Sequence, residues 1–291
     1  MNAGRLARSA IFTCDEFGES HSANVAVIEA MEQGLGERYP VGATLQMPAP
    51  WAPEAARYAA THPDADVGVH LTIECRYRTM GFRPVCGRTE APGLCAPDGY
   101  MWETSAGAWE HSSEDEIHRE CKAQIEAALS FGVDVSHLDG HGGLQGADLA
   151  GYARVCGALA KEYRLPLRMQ PRRRYEAQGA AGAWEAVRAL GILTCDDDTN
   201  LGLRQGGESY TDFYLRRLAG LSPGLTDLYV HPCVDSAELR ALQPARADER
   251  IEQYNLLVHD AAFTEALSRS GVRVITWRSV RERQRGRPAA E

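Results

Sequence analysis

The sequence predicts an α/β protein built as a TIM-like barrel of largely parallel strands. Three observations carry that expectation. Short apolar runs alternate with longer segments of helical periodicity from one end of the chain to the other. Seven or eight such units fill the 291 residues, which suits a closed barrel better than an open doubly wound sheet. Ionisable residues interrupt the apolar runs near their ends, the face on which such barrels collect their chemistry.

The elements follow in order. "SAIFTC" reads as the first strand, and "SANVAVIEAMEQGLG" as a helix stopping near Gly34. "VGATLQM" and "DVGVHLTI" are the second and third strands, with the helix "APEAARYAATH" between them. Residues from about 74 to 111, rich in Gly, Pro and Arg, form an irregular insertion. "SSEDEIHRECKAQIEAALSFG" is the clearest helix: Ser112 or Ser113 caps it, acidic residues fill its first turn, and Gly132 lies past its end. "VSHLDG", "LPLRMQ" and "GILTCD" are the next strands, separated by the helices "ADLAGYARVCGALAKEY" and "GAWEAVRAL". The helix "TDFYLRRLAG", the strand "TDLYVHP", one long helix over "ADERIEQYNLLVHDAAFTEALSRSG" and the strand "VRVITW" complete the series. No linker or repeat interrupts it, so 1–291 reads as a single domain with a frayed basic tail from about 279.

The bulk chemistry narrows the function. A net charge of -9 argues against nucleic acid and anionic membranes as partners. No run approaches the ~20 apolar residues of a membrane helix, and no signal peptide is visible, so the default location is cytoplasmic. The eight cysteines form no C-x-x-C pair and read as reduced thiols. P-loop, G-x-G-x-x-G and G-x-S-x-G patterns are missing, which leaves nucleotide binding and serine-hydrolase chemistry unsupported. Asp196-Asp197-Asp198 reads as a solvated acidic loop, with cation binding as its alternative, and "PRRRY" as a solvated basic loop, with an anionic substrate group as its alternative partner.

The strand ends carry the signal. Asp15 and Glu16 follow the first strand, and His70 interrupts the third, where a polar group needs a partner. His137, Asp139 and His141 surround the fourth in "HLDGH", with glycines that leave room for a ligand; Arg168 lies in the fifth, and His231 ends the seventh. Two carboxylates and two or three imidazoles suit a divalent metal with positions left for water and substrate. A cation would also explain the adjacent carboxylates, by offsetting their repulsion. Tyr100, Trp102 and Trp109 in the insertion are either sugar-stacking residues or loop anchors.

In this order and spacing, "TCDEFG", "SANVAVIEA" with Asn24, "GVHL", "HLDGH" and His231-Pro232 resemble the YdjC-like carbohydrate deacetylases, which include chitooligosaccharide deacetylases. The resemblance spans nearly the whole chain. It implies a distorted TIM-like (β/α) barrel of the glycoside hydrolase/deacetylase type and one divalent metal ion, zinc or magnesium. It implies Glu16, His70 and His141 as metal ligands, Asp15 as general base and His231 as general acid. Asp139, His137 and Arg168 are then supporting or substrate-binding residues. The implied reaction removes an N-acetyl group from an amino sugar or a sugar-containing small molecule. Hydrolysis of another amide or ester, or sugar binding without turnover, are the alternatives, and a homo-oligomer stays open.

Three departures stand out. The family's second Asp is Glu16 here, and the extra methylene shifts the carboxylate by roughly an ångström or more, leaving open whether Glu16 or Asp15 binds the metal. "GGLQ" follows His141 where further histidines are common, and Cys233 follows the H-P pair where Gly is common.

Overall fold

A computed structural model describes residues 8–142, 144, 147–198 and 206–287. Strand β1 (Arg8–Phe17) is its axis, buried from Ala10 onward. It runs parallel to β2 (Gly42–Leu45) on one side and to β6 (Gly224–Val230) on the other. β3 (Val67–Leu71) and β4 (Leu138–Gly140) extend the sheet past β2, and β5 (Asp197–Asp198) adds to β6. β7 (Arg273–Val274) pairs with the start of β1. All these pairings are parallel.

The expected fifth and sixth strands are thin. "LPLRMQ" meets β4 through one bridge, Leu138 to Leu167, and Leu167 N donates to Leu193 O at 3.1 Å. Pro166 supplies no N–H for a longer ladder, so a regular strand cannot form there. These bonds carry the circuit from β4 round to β5 and give a curled, distorted parallel barrel.

The helices alternate with the strands: α1 (His21–Gln33), α2 (Ala52–Thr61), α3 (Ser105–His111), α4 (Glu114–Ser130), α5 (Leu149–Tyr163), α6 (Arg172–Ala177), α7 (Ala181–Ala189) and α8 (Tyr210–Ala219) precede β6. α9 (Ala237–Leu242), α10 (Ala247–Val258), α11 (Ala261–Arg269) and α12 (Trp277–Gln284) follow it. Gly34 ends α1 at φ 62°, and Ser113 caps α4 in a capping box with Glu116. None of the described helices is long and apolar enough to cross a membrane.

Two expectations need correction. The long helix predicted after β6 is two helices, because Asp260 breaks it and caps α11 by accepting from Phe263 N at 2.8 Å. The basic tail predicted from about 279 is helical to Gln284. Arg281 is buried there, bonded to the Asp134 carboxylate at 2.7 Å and the Val135 carbonyl at 2.8 Å; the charged pattern hid an anchored helix.

Candidate active site

A strand normally points successive side chains to opposite faces, so adjacent carboxylates on β1 should not share a site. They do, because β1 bulges. Between Cys14 and Phe17 it spends three steps against the two from Ala43 to Leu45 on β2. Glu16 absorbs the extra residue at φ 66°, a left-handed conformation uncommon outside glycine. Asp15 and Glu16 thus both line one cavity of about 530 Å³ at the strand ends, with His141, Arg168, Asp198 and His231.

Asp15 is held by a single guanidinium. Arg168 Nη1 donates to Oδ1 at 2.9 Å and Nη2 to Oδ2 at 2.7 Å. The same guanidinium lies 2.6 Å from Asp139 and 3.1 Å from Asp227, so three buried carboxylates share one cation. Burial opposes the charge on Asp139, but Arg168 and His70 outweigh it and hold that carboxyl below its usual value. Asp227 resolves the other way: burial pushes it up to about 7, against Arg168.

Three donor atoms converge beside this cluster. His70 Nδ1 bonds Asp139 Oδ1 at 2.8 Å, which turns His70 Nε2 toward His141 Nδ1 at 3.2 Å. Glu16 Oε1 lies 3.6 Å from that same His141 Nδ1 and 3.9 Å from His231 Nε2. Burial draws His141 down to about 4 and His231 to about 3, with Glu16 opposing in both, so both rings rest neutral and offer lone pairs. Two imidazole nitrogens and a carboxylate oxygen facing one another make a donor set that fits a divalent cation. Asp15, His70 and Asp139 also offer atoms within 4.8 Å of one another that could hold a metal. Arg168 and His70 already occupy the oxygens of those two aspartates, so the set containing Glu16 and His141 is the freer one.

The outer oxygen of Glu16 is engaged elsewhere. Buried Arg250 on α10 pairs with Glu16 Oε2 through Nη2 and with Glu19 Oε2 through Nη1 at 2.7 Å. Burial opposes the charge on Glu16, yet Arg250, His231 and His141 hold its carboxyl well below the ordinary range. Glu19 is pushed up to about 7 by burial, with Arg250 opposing and the Glu16 charge adding to the rise.

The predicted residues divide as follows. Asp15, Glu16, His141, Arg168 and His231 line the cavity; His70 and Asp139 lie buried beside it. His137 does not reach the cavity. Two residues before Asp139, it sits a layer deeper, with Nδ1 on Ser136 Oγ at 2.9 Å and its ring stacked on Trp277 at 4.7 Å. It fits there because Gly68 carries no Cβ, which would lie 2.5 Å from the ring. The insertion's aromatic residues are anchors: Trp102 bonds Gly93 O at 2.7 Å, Trp109 packs on Gly151, and Tyr100 lies under Arg83.

Several site residues escaped the sequence reading. Asp198, expected in a solvated loop, is buried in the cavity wall and accepts from Gln170 Nε2 at 2.9 Å. Asp227 sits inside β6, "GLTDLYV", and interrupts that strand as His70 interrupts β3, so the sequence carried its signal. Arg250 had no such signal, since polar residues at helical spacing usually face water, and Glu19 lies in the turn between β1 and α1, where a charged residue is ordinary.

The family model described as "YdjC-like protein" matches residues 9–269. A carbohydrate deacetylase of Thermus thermophilus is 31% identical over 287 residues, covering 92% of each chain. One from Thermoanaerobacter pseudethanolicus is 24% identical over 84% of this chain and 88% of its own. One from Geobacillus stearothermophilus is 32% identical, but the match spans only 56% of this chain and 60% of that protein. A crystal structure from Enterococcus faecalis, of a protein described as one for cellobiose-phosphate cleavage, superposes with a TM-score of 0.79. It is 23% identical and covers 94% of this chain and 99% of its own, a likeness of fold. With the family model spanning most of the chain and the motif residues gathered at one cavity, the chain belongs to the YdjC-like protein family.

Proposed function

We propose that this chain is a metal-dependent hydrolase that removes the N-acetyl group of an amino sugar or a sugar-containing small molecule. The observation that carries this reading is the convergence of His70 Nε2, His141 Nδ1 and Glu16 Oε1 beside the Asp15–Arg168 pair. The relatives' description as carbohydrate deacetylases supplies the substrate class.

His70, His141 and Glu16 would hold the ion, and two imidazoles with one carboxylate suit zinc, magnesium being the alternative. When bound, the ion supplies Lewis acidity that polarises the acetyl carbonyl and offsets the charge of the tetrahedral oxyanion. Asp15 takes a proton from the attacking water. Arg168 aims both of its oxygens through two charge-assisted hydrogen bonds. His231, neutral at rest, takes up the proton that Asp15 drew from the water and passes it to the leaving nitrogen, which returns Asp15 to its starting state. The new C–O bond replaces the C–N bond, and acetate and a free amine leave.

Acetate release from N-acetylated sugars, lost on chelation and in His70→Ala, is the expected result. Undiminished turnover by His70→Ala would refute the site, and faster turnover of simple esters across a substrate panel would refute the substrate class.

A further inference from the structure

Each of the two histidines proposed as ligands has a carboxylate behind it. Asp139 stands behind His70, at 2.8 Å from Nδ1. Glu74 stands behind His141, its Oε1 at 3.5 Å from Nε2. The two rings turn their remaining nitrogens toward each other at 3.2 Å. A carboxylate on the far nitrogen of a ligating histidine fixes the tautomer and ring angle.

Glu74 is built for such a role. It closes β3's apolar run, four residues after His70, and its side chain is buried. Oε2 accepts from Ser105 N at 2.5 Å and Ser105 Oγ at 2.7 Å, at the first turn of α3. Oε1, the oxygen nearest His141, accepts from Arg76 Nη2 at 2.9 Å. Gly142 makes that approach feasible: at φ 47° it carries no Cβ, which would lie 2.6 Å from Oε1.

We propose that Glu74 is the positioning residue of His141: it keeps the ring proton on Nε2, so that Nδ1 is presented to the cation. The inference rests on the metal-site reading above. It also gives the insertion a task, since Glu74 opens it and accepts from Ser105 further along it, where it meets the site.

The test uses the full chain and two readouts. In metal-free protein, ring ¹⁵N NMR should show His141, assigned by its loss in His141→Gln, protonated on Nε2. In Glu74→Gln, calorimetry with Zn²⁺ and Mg²⁺ should show about 10–100-fold weaker binding, and the single tautomer should be lost. Should Glu74→Gln fail to fold, Glu74→Asp keeps the charge, withdraws it by one methylene and should show a smaller loss of the same sign. A wild-type-like tautomer together with affinity within twofold in the variant overturns the assignment. A wild-type chain that binds neither ion overturns the metal reading itself, whereas the tautomer in metal-free protein judges Glu74 alone.

Discussion

One guanidinium, that of Arg168, holds both oxygens of Asp15, at 2.9 and 2.7 Å. A carboxylate fixed at both atoms has little freedom to turn, so its position relative to substrate is set before binding. Asp15→Asn should therefore fold and bind Zn²⁺ about as well as wild type, because Asp15 is not among the proposed ligands. Its kcat should fall about 10²–10⁴-fold, the usual contribution of a general base. Steady-state kinetics alongside calorimetry separate the two. Loss of Zn²⁺ binding in this variant would make Asp15, not Glu16, the ligand.

The identity of this carboxylate was legible in the sequence, but the reason it can share a site with its neighbour was not. Strand ends can be read from apolar period, and His70 and Asp15 announce themselves by interrupting it. The bulge at Glu16 cannot be read that way, because Glu has no preference for φ 66° and tertiary contacts with Arg250 and His141 hold it there. His137 shows the opposite failure. Its motif position looked equivalent to that of His141, but strand geometry puts it one layer deeper, against Trp277. Asp198 was misread because three consecutive aspartates suggest solvent, whereas alternation buries only some of them.

Arg250 joins Glu16 and Glu19 in a buried network. Arg250→Met leaves two carboxylates buried without their cation and should cost about 3–5 kcal/mol in urea unfolding. Adding Glu16→Gln and Glu19→Gln should recover part of that loss, because the uncompensated charge is then gone. The triple variant should nonetheless bind Zn²⁺ poorly, since Glu16 would no longer offer a carboxylate. Stability that falls further in the triple variant would contradict this account.

Metal and fold should be linked. An ion that binds the native arrangement of His70, His141 and Glu16, and not the unfolded chain, stabilises by about 2.7 kcal/mol at 100 times its Kd. The thermal midpoint should rise on titrating Zn²⁺ into chelator-treated protein. His70→Ala should largely abolish that rise, while Asp15→Asn keeps it. Equal shifts in all three proteins would mean that the ion binds elsewhere.

Asp227 predicts how stability depends on pH. Its carboxyl is pushed up to about 7 in the native state by burial, against an unfolded value of about 3.9. Arg168 is shared among Asp15, Asp139 and Asp227, and at Asp227 burial outweighs its attraction. The sign follows from linkage. Between pH ~4 and ~7 the native state holds a proton that the unfolded chain has released, so this group's contribution is full below pH ~4 and is lost as pH rises to ~7. The slope is at most about 1.4 kcal/mol per pH unit for one group. Asp227→Asn keeps a neutral side chain that can bond Thr13 Oγ1 and Arg168, and it removes the titration. The variant should therefore gain stability over wild type as pH rises from 5 to 8, measured by urea unfolding at each pH. Other buried carboxyls, such as Glu19, titrate in both proteins and cancel in the difference. A difference that is flat with pH would show that Asp227 is ionised throughout and that the proton lies elsewhere in the cluster.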